Sequence, residues 1–375
     1  MAFEIKPNNP ATIAVVLIII LGAILAAEST KSRPFWAGPI PMDGNSSSDA
    51  PLLGPGGPQA PALRGLTGYI NTSSDISVAN LKGRVVIVDF WTYSCINCIR
   101  TLPYLVEWDK KYRDKGLVII GVHTPEFDFE KDIDNVRNAV KKYGIEYPVV
   151  LDSDYATWNA YQNHWWPHKY LIDKSGVIRF DHIGEGGYDE TEQQIVELLS
   201  ENGPKVEMNL DDAGMPSEQT DFAGIGTPEI YLGYDFARQD LGNEEGFVPE
   251  QTVSYSFPDN GDFSANLVFL EGDWKNNSDN VQLESDTGKV ALKFKAKNVN
   301  IVAGSPNGSV LSVSVGGKPV STENAGDDAV QDENFVVYVN EQRLYNLVSA
   351  QDYAEKTLVF DVKGNGFELY TFTFG

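Results

Sequence analysis

The alternation of apolar and polar positions divides the chain into two regions with different periodicities. In the first region, Val85–Phe90 (VVIVDF) and Leu117–Val122 (LVIIGV) are short, almost continuous apolar runs. Such runs are typical of strands that are buried on both faces of a sheet. Between them, Ile99–Lys115 has apolar residues at helical spacing. The pattern therefore predicts a β-α-β unit at the start of this region.

The same region continues with further elements up to residue 201. The spacing predicts helices over Phe129–Tyr143, Thr157–His164 and Glu190–Glu201, and strands over Tyr147–Leu151, Lys169–Asp173 and Val177–Ile183. A β-α-β start followed by a hairpin and a closing helix implies an α/β domain, in which helices flank a central mixed sheet. We place this domain at residues 67–201.

The second region, residues 227–375, has the period-two pattern of β-strands throughout. Gly316-Gly317 and Asn365-Gly366 are hairpin-type turn sequences within it. The alternating segments predict strands over Thr252–Phe257, Leu267–Leu270, Val290–Ala296, Val299–Ala303, Val310–Val315, Phe335–Val339, Leu344–Ser349, Thr357–Val362 and Phe367–Phe374. Many short strands between turn signals predict an all-β sandwich or jelly roll.

The N-terminal part of the chain differs from both domains. After a tail of residues 1–10, Ala11–Ala27 is an uncharged apolar run with basic residues on both sides, nearly long enough to span a bilayer. We expect a single transmembrane helix here; a cleaved signal peptide is the alternative, although no clear cleavage motif follows. Residues 28–66 are rich in Pro, Gly and Ser and predict a flexible linker, and residues 202–226 predict an acidic linker between the domains.

The chain is strongly acidic, with 29 basic and 53 acidic residues among 375 and a net charge of -24. An acidic surface repels phosphate backbones, which argues against nucleic acid as a partner. The β region contains no cysteine and no histidine, so we expect no redox chemistry there. Its aromatic residues, Trp274 and Tyr234 among them, are candidates for stacking on a carbohydrate or protein ligand, with core packing as the alternative.

The candidate chemistry lies in the two cysteines of the chain. Cys95 and Cys98 form a C-x-x-C pair at the predicted junction between a buried strand and a helix. Free N–H groups and the helix dipole stabilise a thiolate at a first helical turn, so we expect lowered thiol pKa values. Cys95 on the exposed side would attack a disulfide, and Cys98 would resolve the mixed disulfide. This predicts thiol–disulfide exchange without cofactor or bound metal, outside the cytoplasm and tethered to the cell membrane.

The stretch VDFWTYSCINC, which ends at Cys98, resembles the active-site signature of the thioredoxin family. The resemblance covers roughly residues 67–201 and implies a thioredoxin-like fold. It implies that Asp89 is a buried acid that relays a proton for Cys98. It also implies that Trp91 flanks the dithiol, where it is a candidate for substrate binding, with core packing as the alternative.

Trp166-Pro167, just before the strand predicted at Lys169–Asp173, resembles the TlpA/ResA branch of that family. The resemblance implies that the proline is cis and packs against the dithiol, and that the residue before it offers backbone hydrogen bonds to a client polypeptide. The candidate catalytic residues are Cys95, Cys98, Asp89 and Pro167, and the candidate substrate-binding residues are Trp91 and Trp166.

Across both domains the chain is similar to the soluble part of DipZ-type proteins. These join a CcdA-like membrane domain to a thioredoxin domain and a C-terminal β domain that resembles carbohydrate-binding modules. The likeness is carried by TYSCINC, Thr227–Tyr234 and Tyr370–Gly375. It implies that disulfides of client proteins are reduced. The chain lacks the multi-span membrane part, so we expect a separate membrane electron donor resembling CcdA or DsbD.

Three other functions fit parts of the sequence. His164 and His168, with the two cysteines, suit a copper or zinc metallochaperone, although Sco-type proteins keep three residues between their cysteines. Peroxide reduction requires a proline where this chain has Val88. A binding protein that acts mainly through its β domain is the third alternative.

Overall fold

The computed structural model describes residues 56–208, 220–332 and 334–375. The predicted tail, the predicted transmembrane helix at residues 11–27 and the first part of the 28–66 linker lie outside the described residues. Within the described ranges, no helix combines the length and the apolar character needed to cross a membrane. The transmembrane helix therefore stays a prediction.

The first domain is built on a six-stranded mixed sheet with helices on both faces. Its strands are β1 (Gly68–Ile70), β2 (Val85–Trp91), β3 (Leu117–His123), β4 (Val149–Leu151), β5 (His168–Ile172) and β6 (Ile178–Ile183). Its α-helices are α1 (Ile96–Tyr112), α2 (Ile133–Lys142), α3 (Ala156–Ala160) and α4 (Tyr188–Ser200). Short 3-10 helices lie at Val78–Leu81, Arg113–Lys115 and Asp128–Lys131. The predicted α/β fold with a mixed sheet is confirmed.

The strand that leads to the dithiol, β2, lies in the middle of this sheet. The strand order is β1-β4-β3-β2-β5-β6, with β2 parallel to β3 and antiparallel to β5. Successive side chains of a strand point to opposite faces. Val85 and Ile87 therefore enter the core beneath α1 and α4, whereas Val86 and Val88 enter the core on the other face. Burial on both faces fixes where β2 ends and, with it, the position of the dithiol.

Two helices begin at positions set by side-chain caps. α1 begins at Ile96, three residues before the predicted start, because the Cys95 sulfur accepts the Cys98 N–H as an N-cap. α2 begins later than predicted, because the Asp132 carboxylate accepts the Asp134 N–H at its N-terminus. Apolar periodicity does not locate such caps, so the predicted helix ends were displaced.

The folded part of the first domain extends upstream of residue 67, into the segment predicted as a linker. Gln59 forms a β-bridge with Val177. The Ala60 N–H donates to the Gly176 carbonyl at 2.9 Å. Leu63, with Ala60, packs against the core on the outer face of the sheet. These contacts order residues 58–66 against the domain despite their Pro- and Gly-rich composition.

The second domain consists of β-strands, and the all-β prediction is confirmed. The strands are β7 (Ile230–Tyr231), β8 (Thr252–Tyr255), β9 (Val268–Asn276), β10 (Val281–Leu283), β11 (Thr287–Lys295), β12 (Asn298–Gly304), β13 (Ser309–Val315), β14 (Lys318–Pro319), β15 (Ala329–Gln331), β16 (Phe335–Val339), β17 (Arg343–Ser349), β18 (Glu355–Lys363) and β19 (Glu368–Phe374). The main path of the sheet is β15-β16-β13-β18-β11-β9-β10-β19-β12-β17.

This sheet is continuous and curves around one core, instead of forming the two separate sheets of a simple sandwich. The reason is β9, whose residues 268–271 pair with β11 while residues 272–276 pair with β8 and β10. Gly272, at the change of partner, has φ of +109°, a conformation that favours glycine. The bend at Gly272 joins the two halves into a near-barrel with a single hydrophobic core.

Trp274 lies inside that core, so the structure supports core packing, the alternative to ligand stacking, for this residue. Its side chain is 0% exposed, and its ring packs edge-on against Phe367. The indole N–H donates to the Glu271 carbonyl at 3.0 Å, so even its polar group is satisfied internally. Tyr234 is half-buried, and its hydroxyl donates to Glu250 at 2.8 Å.

Candidate active site

The dithiol lies where β2 gives way to α1. Cys95 is half-buried and caps the helix, and its sulfur accepts the Cys98 N–H at 3.3 Å. Cys98, one turn into the helix, is 1% exposed. Both are free thiols. Of the two cysteines, Cys95 is therefore the more accessible, and Cys98 lies behind it.

The segment before β5 lies against the outer thiol. The Trp166–Pro167 peptide bond is cis, as the resemblance implied. The Cys95 thiol donates to the Trp166 carbonyl at 3.9 Å. The Trp166 indole N–H donates to the Thr124 carbonyl at 3.0 Å, and its ring packs on Trp158 with 4.2 Å between centroids. These contacts hold the Trp166 backbone beside Cys95.

Asp89 lies in the middle of β2, on the inner side of the dithiol. Its carboxyl group is fully buried and has no hydrogen-bond partner among the described residues. Loss of hydration raises the pKa of Asp89 to about 7, although the nearby Lys169 ammonium lowers it in part. Its charge acts on Cys98. Asp89 is thus a buried acid that changes protonation state near neutral pH.

Lys169 is a residue of the site that the sequence analysis missed. It lies opposite Asp89 in the β2–β5 pairing and is 2% exposed. Its ammonium donates to the Gly184 carbonyl at 3.1 Å. Burial lowers the pKa of Lys169, and the charges of Asp89 and Cys98 oppose that decrease. The signal in the sequence is a lysine within the otherwise apolar strand KYLI, because a lysine is rarely buried without a charged partner.

Trp91 is fully buried, so the structure supports core packing, the alternative to substrate binding, for this residue. Its ring packs edge-on against His123, with 5.2 Å between ring centroids. Burial lowers the pKa of His123 to about 3, so the imidazole is neutral at physiological pH. Trp91 is therefore a core packing residue beneath the loop that carries the dithiol. Trp166, in contrast, is only half-buried and lies beside Cys95.

The thiol pKa values differ from the sequence-based expectation. Burial raises the pKa of Cys95 above its ordinary value, against the opposing effect of hydrogen bonds from the Cys98 thiol and N–H. Burial also raises the pKa of Cys98, and its contact with Cys95 adds to that increase. The helix N-terminus was expected to lower these values. Loss of hydration outweighs it here, because side chains distant in the sequence exclude water from the dithiol.

His168, one of the two histidines proposed as metal ligands, binds other side chains. His168 is buried, and its two ring nitrogens bind the side-chain amide oxygen of Asn163 at 2.7 Å and the Asp181 carboxylate at 2.9 Å. Neither nitrogen is directed at the cysteines. Within the part of the chain that the structure describes, no group of three or more His, Cys, Asp or Glu side chains is arranged to hold a metal ion.

The β domain contacts the loop that carries the dithiol. The Tyr93 hydroxyl, two residues before Cys95, donates to the Gln342 carbonyl at 3.2 Å. Ile96, immediately after Cys95, shares a small hydrophobic cluster with Leu344 and Tyr370. Sequence patterns gave no sign of these contacts, because they join residues about 250 positions apart. The surroundings of Cys95 are therefore made by both domains.

A half-buried cysteine backed by a fully buried one at a helix start, with a cis proline next to its backbone partner Trp166 and a buried acid on the preceding strand, defines a thioredoxin-like dithiol site. Comparison with known proteins agrees with this class. Residues 56–199 match the Redoxin family, and residues 227–375 match the family described as a thioredoxin-like C-terminal domain.

Three relatives of known description match one or both of these regions. The DipZ protein of Mycobacterium tuberculosis (strain CDC 1551 / Oshkosh) is 34% identical over 319 residues, which is 84% of this chain and 43% of that protein. ResA of Bacillus thuringiensis (strain Al Hakam), a thiol-disulfide oxidoreductase, is 33% identical over 34% of this chain and 69% of its own length. YkuV of Bacillus subtilis (strain 168), which carries the same description, is 28% identical over 38% and 94%.

The chain belongs to the thioredoxin-like thiol–disulfide oxidoreductases of the TlpA/ResA type. Its two-domain arrangement is shared with DipZ, although the chain spans less than half the length of the DipZ proteins that it matches.

Proposed function

We propose that the protein reduces disulfides in extracytoplasmic client proteins through Cys95 and Cys98. The observation that carries this proposal is the asymmetry of the dithiol. Cys95 is half-buried beside the Trp166 backbone, whereas Cys98 is fully buried and lies within the influence of the Asp89 charge. A pair arranged in this way can form and then resolve a mixed disulfide.

The exchange proceeds in two steps. The deprotonated Cys95 sulfur attacks the client disulfide, forms a bond to one client sulfur and releases the other, which takes up a proton. Cys98 then loses its proton to the Asp89 carboxylate, attacks the Cys95 sulfur and releases the second client sulfur as a thiolate, which takes up that proton from Asp89. The client gains two electrons and two protons. The protein is left with a Cys95–Cys98 disulfide.

Substitution of each cysteine by serine tests these roles. Cys98→Ser should accumulate mixed disulfides with client proteins, because the resolving thiol is absent, whereas Cys95→Ser should trap none and should not reduce insulin. The two variants are matched controls, since each keeps one thiol. Trapped complexes are resolved on non-reducing gels and mapped by mass spectrometry. Equal trapping by both variants would contradict the assignment.

The direction of exchange depends on the reduction potential of the dithiol. For a client reductant we expect a value of about -270 mV, as in thioredoxin, whereas a value of about -120 mV would identify an oxidant. Equilibration of the full-length protein with glutathione buffers of known ratio measures it. A potential at the oxidising end would overturn the proposed direction and leave the cysteine roles intact.

The electron source and the location complete the proposal. We expect a membrane protein resembling CcdA or DsbD to re-reduce the pair, and Ala11–Ala27 to anchor the domains at the outer side of the cell membrane. The uncharged apolar character of that segment supports the anchor. Membrane fractionation of the full-length chain tests it. Extraction of the intact protein by carbonate would contradict a transmembrane anchor.

A further inference from the structure

Glu130 is a buried carboxylate that the two steps of exchange do not use. It lies in the short 3-10 helix Asp128–Lys131, in the segment between β3 and α2, and is 0% exposed. Its Oε2 atom accepts the N–H groups of Glu126 and Phe127, the latter at 3.1 Å. These two bonds hold the start of the 3-10 helix and use a single oxygen. They leave the other oxygen, Oε1, for a different partner.

The Oε1 atom of Glu130 is bound to the residue that precedes the outer cysteine. The Ser94 hydroxyl donates to it, and Ser94 is itself 1% exposed. Burial of a carboxylate is costly unless hydrogen-bond donors replace its lost hydration, and here the donors are two N–H groups and this hydroxyl. Glu130 therefore joins two segments that are distant in the sequence, loop 126–130 and the strand end that leads into Cys95.

The β domain holds loop 126–130 from the other side. The Tyr231 hydroxyl, on β7, donates to the Glu126 carboxylate at 2.5 Å. The Phe127 ring, which is 1% exposed, packs on the ring of Tyr370 of β19 with 5.2 Å between centroids. Loop 126–130 is thus fixed between the β domain and the loop that carries the dithiol.

Both chain neighbours of Cys95 are held by these contacts. Ser94 is bound by Glu130, and Ile96 packs into a hydrophobic cluster that it shares with the β domain. The Cys95 sulfur between them lies 3.9 Å from the Trp166 carbonyl. An attacking group must be held in the correct orientation, and a misplacement of about 1 Å can slow a reaction about a hundredfold. The contacts of Ser94 and Ile96 therefore bear on how Cys95 meets a client disulfide.

We propose that Glu130 is a positioning residue for Cys95, and that the β domain, through Tyr231 and loop 126–130, holds Glu130 in place. Ser94 transmits the position of Glu130 to the outer cysteine through one hydrogen bond and one peptide link. The β domain is on this basis needed for the full rate of exchange. The inference rests on the thiol–disulfide exchange proposed above and adds a residue to it.

Two rates measured in the full-length protein separate positioning from folding. The first is oxidation of the pre-reduced dithiol by excess insulin in a single turnover, which needs no electron donor. The second is alkylation of Cys95 by iodoacetamide in a Cys98→Ser background, which needs no alignment with a polypeptide disulfide. We expect Glu130→Leu to slow the insulin reaction about tenfold and to change alkylation by less than about twofold. General loosening of the site would expose the sulfur and accelerate alkylation.

Two further variants test the link itself. Glu130→Gln keeps an oxygen for the two N–H groups, and its amide N–H can donate to the Ser94 hydroxyl, which also accepts hydrogen bonds. It should retain at least about half of the wild-type insulin rate. Ser94→Ala removes only the far end of the link and should reproduce most of the loss seen in Glu130→Leu. It supplies the decisive measurement if thermal unfolding shows that Glu130→Leu is not folded.

Matched tyrosine variants test the contribution of the β domain. Tyr231→Phe removes only the hydroxyl that binds Glu126 and should slow the insulin reaction about threefold, the equivalent of one hydrogen bond. Tyr255→Phe is the control, because Tyr255 is also buried and its hydroxyl donates to the Gly246 carbonyl at 2.8 Å within the β domain. The insulin rate of Tyr255→Phe should equal that of wild type.

Equal insulin rates for wild type, Glu130→Leu and Ser94→Ala would overturn the proposal. So would a Glu130→Gln variant as slow as Glu130→Leu, because the charge of the carboxylate and not its position would then control the rate. Equal slowing by Tyr231→Phe and Tyr255→Phe would overturn the part assigned to the β domain. Failure of the exchange mechanism has a different signature, since wild type itself would then leave insulin oxidised.

Discussion

Replacement of Asp89 by asparagine should make the protein more stable at alkaline pH and change its stability little in acid. In the unfolded chain Asp89 ionises at its ordinary pKa of 3.8, whereas in the folded protein it ionises at about 7. Between these values the unfolded state binds fewer protons than the folded state, so rising pH favours unfolding. The loss of stability caused by burying the ionised Asp89 carboxylate is absent below pH 3.8, grows as pH rises, and is complete above pH 7.

The size of the effect follows from the shift in pKa. A change from 3.8 to about 7 corresponds to about 4 kcal/mol of unfolding free energy, of which about 3 kcal/mol develops between pH 5 and pH 8. Asp89 is fully buried, so solvent screening does not reduce this figure. The presence of Lys169 reduces the gain expected for the variant, because Asp89→Asn leaves the buried lysine without its oppositely charged neighbour. Between pH 5 and pH 8, we therefore expect the unfolding free energy of Asp89→Asn to increase by about 2–3 kcal/mol relative to that of wild type.

Urea unfolding of the reduced protein at pH 5 and pH 8, followed by tryptophan fluorescence, measures the difference. Asp114→Asn is the matched control, because it removes a carboxylate from an exposed position of the same domain. Asp89→Asn combined with Lys169→Met removes the whole buried pair and should show the full pH effect. If wild type and Asp89→Asn lost equal amounts of unfolding free energy between pH 5 and pH 8, the reasoning would be refuted.

Two further substitutions test the packing of the first domain by their midpoints of urea unfolding. Gly121→Ala should destabilise the domain by about 1–3 kcal/mol, because the new methyl group would lie 2.9 Å from the Trp91 indole nitrogen; an unchanged midpoint would show that the indole moves freely. Arg179→Met should cost about 2 kcal/mol at neutral pH, because the buried guanidinium binds Asp173 at 3.2 Å and Glu201 at 3.1 Å. That loss should shrink in acid, since the lowered pKa of Asp173 contributes stability only while the carboxylate is ionised; a loss independent of pH would contradict the ion pair.

The parts of the fold that the sequence predicts correctly are those that depend on local order. β2 and β3 are continuous apolar runs because they are buried on both faces of the sheet, so periodicity alone locates them. The dithiol is predictable for the same reason, since its position follows from the end of β2. Helix ends were predicted less well, because a single capping side chain such as Asp132 determines them.

The remaining features of the site depend on contacts between residues that are distant in the sequence. Lys169 faces Asp89 only through an antiparallel pairing of strands 80 positions apart. The raised pKa of Cys95 depends mainly on burial by side chains that are distant in the sequence, whereas the sequence-based expectation considered only the local helix terminus. Neither the register of a distant strand nor the docking of a second domain leaves a periodic signal in the sequence.

The position of β19 in its sheet affects the order in which the protein can assemble. β19 follows every other strand of the β domain along the chain, yet it lies between β10 and β12 and also pairs with β7. The central sheet of the first domain, in contrast, needs no strand beyond Ile183. During synthesis the dithiol domain can thus form before its neighbour closes. A newly made chain would therefore present Cys95 without the contacts that Tyr370 of β19 makes with the neighbouring Ile96.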